Sequence, residues 1–278
     1  MASLSIPHRL LLLLLISAIT VLAATWRHPS RSARVVVTGS STIAPLMAEI
    51  GREFERLHPG IHIDVQTGGS SRGIVDVRRG LADVGMVSRS LRAEEADLTA
   101  HLIARDGIGL IVHADNPVRE LKREEIVALF TGQLSNWQQL GWLDLPVVIV
   151  HKASGRSTHE LFLEHFGLSD RDIDADVVIG DNEQGIKTVG SNRAAIGYVS
   201  IGAAEYAQAH GQSIRLLPLE GIAPSSDELM AGRYPLARQL NLVTRGTPSP
   251  PAQQLIDFTL SSEAAPMIRR MYFVPHDN

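Results

Sequence analysis

The chain has 278 residues, of which 44% are hydrophobic and 20% are charged, and this length can bury one or two hydrophobic cores. Its formal net charge of −4 gives it no generic attraction to nucleic acid or to an anionic membrane surface, so we expect neither partner. The absence of cysteine excludes disulfide bonds and a thiol that would carry a lipid.

The N-terminus has the pattern of a secretory signal. Arg9 precedes an uncharged apolar run from Leu10 to Ala24, and Val21-Leu22-Ala23 offers the spacing that a signal peptidase needs. The run is shorter than the roughly 20 residues of a membrane-spanning helix. We therefore expect residues 1–24 to be a signal peptide and the protein to be periplasmic and not a lipoprotein. An uncleaved membrane anchor is the open alternative.

The next segment alternates between strand and helix patterns. Apolar residues recur at helical spacing from Ile43 to Leu57, and β-branched or alternating runs flank this segment. The sequence therefore predicts strands at 34–38, 61–65 and 83–87, and helices at 43–57 and 74–81.

The remainder of the chain continues the alternation. An apolar run from Ile108 to Val112 predicts a buried strand, which Asp115-Asn116-Pro117 breaks. We predict further strands at 147–150, 196–199, 214–219 and 240–243, helices at 121–130, up to Phe166 and from Pro251 onward, and a loop-rich segment at 221–235.

This order predicts an α/β fold with a largely parallel sheet. The chain is long for a single sheet, and the break at 115–117 indicates a crossing between two lobes. We assign residues 34–113 and 204–278 to the first lobe and residues 114–203 to the second.

Three Ser/Thr/Gly-rich turns stand where a strand gives way to a helix. They are Gly39-Ser40-Ser41-Thr42, Gly68-Gly69-Ser70-Ser71 and Gly155-Arg156-Ser157-Thr158. The first turn of a helix has free N–H groups and a partial positive charge, which suit a small anion. Any one of these turns taken alone is better explained as a helix cap. Three of them at the carboxyl ends of strands indicate a cleft that binds an anion.

The same stretches resemble, in order, the loops of one protein family. Thr38 to Leu46 resembles the first anion-binding loop of the periplasmic phosphate-binding proteins of ABC transporters, Gly68 to Gly73 their second, and Ala82 to Arg89 their third. The resemblance extends over about residues 35–275 and includes Phe130-Thr131-Gly132, Asn136-Trp137, Ile196 to Val199, and Tyr234-Pro235-Leu236 with Arg238.

The resemblance implies a two-lobed Venus-flytrap fold, in which each lobe is a mostly parallel sheet flanked by helices and two crossings form the hinge. It implies high-affinity binding of inorganic phosphate or a related oxyanion, without catalysis and without a cofactor. An ABC transporter permease is the implied protein partner, and we expect a monomer.

The first three loops supply the first candidate ligands. Thr42 and Ile43 match ligand positions of the first loop, and Ser41 lies beside them. Ser70 matches the serine of the second loop. We also take Ser71, which lies in the second loop, and Ser88 and Arg89, which lie in the third, as candidate ligands.

A fourth binding segment follows from the family pattern of Arg, two residues, Gly-Ser-Gly-Thr and an aromatic residue four positions later. With Phe162 as the aromatic residue, Thr158 matches the Thr, Ser157 the second Gly and Arg156 the Ser. Lys152 then stands at the family's Arg.

Two positions depart from the family pattern. Ser88 stands where well-known members have an Asp, whose carboxylate accepts a hydrogen bond only from a protonated oxyanion. Lys152 offers a point charge where an arginine would offer a bidentate fork, which Arg156 is able to supply instead. The sequence therefore favours phosphate and leaves another tetrahedral oxyanion open.

The sequence offers three other interpretations: a metal site, an enzyme, and a sensor or matrix protein. His151, His159 and His165 do not have the spacing of a known zinc pattern, so we expect surface or capping histidines and no metal. Ser154 or Ser157 with His159 would suit a secreted phosphatase or esterase, but the chain has no Gly-x-Ser-x-Gly motif. A sensor or matrix protein that binds an oxyanion without a transporter is the remaining alternative.

Overall fold

The computed structural model describes residues 33–276 of the chain. The predicted signal peptide or anchor at 1–24 lies outside the described residues. Within 33–276, every helix is too short or too polar to cross a bilayer.

The described residues form ten strands and nine α-helices. The strands are β1 (Ala33–Gly39), β2 (Ile61–Thr67), β3 (Val84–Val87), β4 (Thr99–His113), β5 (Val148–Lys152), β6 (Val177–Ile179), β7 (Ala195–Ser200), β8 (Ile214–Leu217), β9 (Ala237–Thr244) and β10 (Val274–Pro275). The helices are α1 (Ala44–Leu57), α2 (Ser70–Arg78), α3 (Arg123–Phe130), α4 (Ser157–Phe166), α5 (Asn182–Ser191), α6 (Ile201–Ala209), α7 (Ser226–Met230), α8 (Pro250–Leu260) and α9 (Ala265–Arg270).

One long strand, β4, joins the two halves of the sheet. The strand order is β2-β1-β3-β9-β4-β7-β5-β6, with β8 and β10 also paired to β4. The pairs β1–β3, β5–β6 and β5–β7 are parallel, whereas β4 and β9 run antiparallel to their neighbours in the centre. Residues 99–107 of β4 pair with β9, and residues 108–112 pair with β7. The predicted α/β fold is confirmed.

Each half of the sheet has its own hydrophobic core. The core around 99–107 of β4 contains Phe54 of α1, Leu242 of β9 and Ile256 of α8. The core around 108–113 contains Phe130 and Tyr198. We call the first half with its helices the first lobe and the other half the second lobe.

The strand pairing favours lobe boundaries that differ from those assigned from the sequence. β8 pairs with Leu110 to His113 of β4, and the segment 204–236 supplies Leu217 and Tyr234 to the core of the second lobe. We therefore propose that the second lobe covers 108–236, in place of 114–203. The reason is that β4 passes through both lobes and does not end at the boundary between them.

Several elements were absent from the sequence prediction. The sequence predicted the fourth strand only from Ile108, whereas β4 begins at Thr99. The first part was missed because polar residues such as Arg105 and Asp106 interrupt the apolar pattern before Ile108. β6, α5 and α6 were also missed. α5 contains two glycines, which weaken a helical pattern, and α6 has buried residues at Ile201, Gly202, Ala204 and Ala207 without a simple amphipathic stripe.

Candidate functional site

Four helix starts bring polar side chains into one buried cluster between the lobes. Thr42 precedes α1 and Ser70 begins α2 in the first lobe, while Thr158 lies in the first turn of α4 and Asn182 begins α5 in the second. None of these residues is more than 5% exposed. Helix starts carry unpaired N–H donors and a partial positive charge. Their convergence creates an environment that favours an anion.

Arg238 of β9 lies at the centre of this cluster. Its Nη1 donates to Thr158 Oγ1 over 2.9 Å, and its Nη2 donates to Thr42 Oγ1 over 3.0 Å. Nη1 also lies 3.5 Å from Ser88 Oγ. One guanidinium therefore contacts hydroxyl groups that belong to both lobes.

Asp106 of β4 holds Arg238 in place. Its Oδ2 accepts from Arg238 Nε over 3.0 Å and from Nη2 over 2.7 Å, and the two residues stand directly opposite each other in the β4–β9 register. The other oxygen, Oδ1, accepts from the backbone N–H of Gly202 over 3.2 Å. Both side chains are almost fully buried, so the bonds orient the guanidinium toward the hydroxyls with little freedom.

Three serine hydroxyls line the first-lobe side of the cluster. Ser40 Oγ donates to Ser88 Oγ over 3.0 Å, and the backbone N–H of Ser88 donates to Ser70 Oγ over 3.1 Å. Ser40 Oγ also accepts from the N–H groups of Thr42 and Ile43, at 3.2 and 3.4 Å. Ser88 therefore lies inside the cluster as a neutral group that both donates and accepts.

Gly39 sets the close approach of these loops. Its φ of +132° lies outside the range of most side chains, and a Cβ there would stand 2.3 Å from the carbonyl oxygen of Met86. The contact keeps the turn that carries Ser40 and Thr42 beside the end of β3, where Ser88 follows.

Lys152 at the end of β5 is the second cation of the cluster. Its side chain is 1% exposed, and Nζ donates to Asn182 Oδ1 over 3.0 Å. Asn182 in turn donates from Nδ2 to Thr42 Oγ1 over 3.0 Å. Desolvation, with a smaller effect of the positive charge on Arg238, lowers the pKa of Lys152 to about 7. Within 33–276 no carboxylate forms an ion pair with this amine, and the more distant charge of Asp181 raises its pKa by less than burial lowers it.

Two predicted ligands instead make contacts across the lobes beside the cluster. Arg156 of the second lobe donates from Nη1 to the carbonyl of Gly68 in the first lobe over 2.9 Å, and from Nε to Gly180 O over 2.7 Å. The N–H of Ser71 donates to Gly155 O over 3.3 Å, and Ser71 Oγ donates to Glu160 Oε1 over 3.3 Å.

Arg89 joins the same set of contacts. It forms two bonds of 2.7 and 2.8 Å with the buried carboxylate of Glu95, and its Nε donates to Glu160 Oε2 of the second lobe over 3.1 Å. Arg92 also donates to Glu160 Oε2, over 2.8 Å. We call Ser71, Arg89, Arg92, Arg156 and Glu160 the bridging network. The roles of Ser71, Arg89 and Arg156 as ligands stay predictions, and their observed contacts favour holding the lobes together.

The remaining predicted ligands have varied surroundings. Ser41 is partly exposed and, with Thr42 and Asn182, lines a cavity of about 630 Å³ between α1, α5 and α6. Ile43 is buried and contributes its N–H to Ser40. Ser157 is 2% exposed, and its Oγ has no hydrogen-bond partner among the described residues. A buried hydroxyl without a partner is available to a ligand.

The sequence reasoning missed four members of the cluster. Ser40, Asp106, Asn182 and Arg238 were not assigned to the site, although Arg238 was part of the family resemblance. Asp106 had a detectable signal, since a charged residue stands between the apolar residues around Ala104 and Ile108. Asn182 had none, because α5 itself was not predicted.

The geometry gives no support to a serine nucleophile. The described part of the chain contains no hydrogen bond between Ser157 and His159, whose Nε2 lies 2.6 Å from Asp170 Oδ1. A nucleophile needs a base within hydrogen-bond reach.

Comparisons with known proteins agree with the fold and the loops. Residues 27–263 match the family model of the PBP superfamily domain. The chain is 24% identical to the phosphate-binding protein PstS of Bacillus subtilis over 92% of this chain and 90% of that protein.

Two solved structures are similar over most of the chain. A candidate phosphate ABC transporter substrate-binding protein of Clostridium perfringens, solved with bound phosphate, has a TM-score of 0.81 at 28% identity and covers 88% of this chain and 100% of that one. An ABC-type phosphate transport receptor of Vibrio cholerae has a TM-score of 0.71 at 28% identity, over 87% and 100% of the two chains. The chain therefore belongs to the PBP superfamily of solute-binding proteins, and the resemblance predicted from its loops is confirmed.

Proposed function

We propose that this protein binds inorganic phosphate between its lobes and delivers it to the permease of an ABC transporter outside the cytoplasm. The observation that carries the proposal is the buried cluster, in which Arg238 contacts hydroxyls from both lobes and the amine of Lys152 contacts Asn182. Relatives named for phosphate binding or phosphate transport support the same ligand.

The cluster offers three kinds of donor to a doubly charged oxyanion. Helix starts supply backbone N–H groups, Thr42, Ser70, Ser157 and Thr158 supply hydroxyls, and two cations supply charge. A charge-assisted hydrogen bond contributes roughly 1.5–3 kcal/mol. Five or six such bonds offset the dehydration of the anion and yield micromolar affinity or better, about −8 kcal/mol.

Lys152 favours an anion for an electrostatic reason. A buried ammonium group without a carboxylate partner is costly, and this cost lowers its pKa to about 7. A bound dianion supplies the missing negative charge and stabilises the protonated amine. The ligand thereby replaces the ion-pair partner that the chain does not provide.

Ser88 makes the site tolerant in its choice of anion. A carboxylate at this position would repel a fully deprotonated anion such as sulfate, whereas the Ser88 hydroxyl can donate to it. We therefore expect phosphate and arsenate to bind, with weaker discrimination against sulfate than a carboxylate would give.

Binding is proposed to close the lobes by a hinge motion. The chain crosses between the lobes within β4 and again just before β9, and these two crossings are suited to act as the hinge. The bridging network joins the facing surfaces of the lobes by hydrogen bonds and ion pairs. The proposal includes no turnover of a phosphate ester. Hydrolysis of a chromogenic phosphate ester that is lost in Ser157→Ala would contradict this part of it.

Calorimetry of the purified protein with phosphate, arsenate, sulfate and molybdate tests the proposal. We expect one phosphate per chain with micromolar affinity or better, and a raised melting temperature in its presence. Neither heat nor a thermal shift with any of the four anions would overturn it. Permease and ATPase genes beside the gene for this chain would favour transport over a sensor or matrix role.

A further inference from the structure

A second polar cluster lies in the second lobe and makes no hydrogen bond to the residues proposed to bind phosphate. It consists of His151 of β5, His159 of α4 and Asp170 in a short turn after α4. The three residues come from separate elements, and their spacing of 8 and 11 residues matches no common zinc pattern. His165, which the sequence grouped with them, lies instead beside Glu220.

The three side chains direct their ligand atoms toward one point. Nε2 of His159 lies 2.6 Å and Nε2 of His151 lies 3.3 Å from the same oxygen, Asp170 Oδ1. All three atoms lie within 4.8 Å of one another. Ligands of a tetrahedral zinc ion with bonds of about 2.0–2.1 Å are about 3.3 Å apart. The 2.6 Å separation of His159 Nε2 from Asp170 Oδ1 is shorter than this value, and a small movement of the exposed Asp170 side chain would lengthen it.

The surroundings also fit a metal site. The two histidines are 4% and 6% exposed, so their rings are fixed by packing, whereas Asp170 is exposed and leaves an open side for a water ligand. Nδ1 of His151 lies 2.8 Å from the hydroxyl of Tyr198, a neighbour that orients the ring.

The imidazole of His159 donates its Nε2 proton to Asp170 Oδ1 over 2.6 Å. Its Nδ1 is buried and has no hydrogen-bond partner in the described part of the chain. A divalent ion bound between these two groups would displace the Nε2 proton, and the ring would then carry its proton on Nδ1. A cation placed between the two imidazoles and the carboxylate would use all three lone pairs at once.

We propose that His151, His159 and Asp170 form a binding site for one divalent transition-metal ion, with water as a further ligand. Two imidazole nitrogens and one carboxylate oxygen suit Zn²⁺ or Co²⁺ better than Mg²⁺ or Ca²⁺, which prefer oxygen ligands. The three protein ligands leave at least one coordination position to solvent.

A calorimetric titration of the tag-free, metal-free protein with Zn²⁺, in the absence of phosphate, tests this proposal. We expect one Zn²⁺ per chain and a rise of the melting temperature with zinc concentration. Co²⁺ should give the visible absorption of a low-coordinate site with nitrogen and oxygen ligands.

Asp170→Asn is the decisive variant, because this exposed residue is removed without opening the core. It should bind Zn²⁺ at least about tenfold more weakly, whereas Asp172→Asn, two residues further in the same turn, should bind it unchanged. His159→Gln should abolish the Co²⁺ absorption while circular dichroism shows that the variant is folded.

Two results would overturn the proposal. One is the absence of stoichiometric zinc uptake by the unmodified chain. The other is equal zinc affinity in the unmodified protein and Asp170→Asn, which would place the ion elsewhere and leave the cluster a hydrogen-bonded anchor for the turn. Because no phosphate is present, neither result depends on the proposed transport function.

Discussion

The buried cluster around Arg238 and Lys152 and the bridging network both join the two lobes through cations, but they differ in what those cations contact. In the bridging network Arg89 is bonded to the carboxylates of Glu95 and Glu160, and Arg156 to two backbone carbonyls. In the cluster Lys152 contacts only a neutral amide oxygen. Arg89, whose charge two carboxylates compensate, holds the lobes together, whereas Lys152, a buried cation without an ion-pair partner among residues 33–276, is available to an anion.

Arg238 combines both situations, because Asp106 neutralises it on one side and hydroxyls contact it on the other. Loss of this residue should have the largest effect. Arg238→Leu should abolish measurable phosphate binding and, by leaving Asp106 buried and unpaired, lower the free energy of unfolding by about 3–5 kcal/mol. Calorimetry and urea unfolding measure the two effects.

The double variant Arg238→Leu/Asp106→Leu separates these effects. It should recover most of the lost stability, because no buried charge is then unpaired, and it should still fail to bind phosphate. Recovery of binding in the double variant would show that Arg238 only neutralises Asp106.

Lys152→Met removes the buried cation and keeps a side chain of similar length. We expect phosphate affinity to fall by roughly 10- to 100-fold, corresponding to one lost charge-assisted bond of about 1.5–3 kcal/mol. The ligand-free protein should be as stable or more stable, because a desolvated ammonium is removed. Lys187→Met, at an exposed position of α5, is the matched control and should change neither quantity.

Glu160→Gln tests the bridging network directly. Glu160 is the carboxylate that Arg89 and Arg92 of the first lobe share, so its loss should disfavour the closed form and weaken phosphate and sulfate equally, by about three- to tenfold. Small-angle scattering of the phosphate-bound protein should show a larger radius of gyration. Glu164→Gln, one turn later and exposed, should leave both unchanged. A selective loss of phosphate alone would place Glu160 in the ligand site.

Ser88→Asp should have the smallest effect on phosphate affinity and should alter selectivity. The new carboxylate would accept a hydrogen bond from a protonated oxyanion and repel sulfate, so the affinity ratio of phosphate to sulfate should rise by at least about tenfold. Competition calorimetry measures this affinity ratio. The control variant Ser88→Ala introduces no carboxylate and should not raise the ratio. An unchanged ratio in Ser88→Asp would show that Ser88 does not face the anion.

Much of the site was accessible to sequence reasoning. Thr42, Ser70, Ser88, Lys152 and Thr158 were all predicted as ligands, and the structure brings them into one cluster. Local signals made this possible, because hydroxyl residues at helix starts and buried strands before them are encoded by neighbouring residues. Their role as ligands stays a prediction until binding is measured.

The different contacts that Arg156 and Lys152 make could not be predicted from the sequence in the same way. Arg156 was predicted as a ligand that would supply a fork to the anion, and the structure places its bonds on Gly68 and Gly180 instead. Arg156 lies in the third turn, and Lys152 lies three residues before that turn begins. Only the folded structure shows that the Arg156 side chain contacts the first lobe, whereas the Lys152 side chain is buried in the cluster.

The sequence by itself determined the α/β alternation, the starts of α1, α2 and α4, and the family, because periodicity and capping depend on residues a few positions apart. Tertiary structure decided which charges meet. Arg238 faces Asp106 across 132 residues of chain because β4 and β9 pair in one register, and His151, His159 and Asp170 meet because a strand, a helix and a turn pack together. Such contacts depend on long-range packing, which no local pattern of residues records.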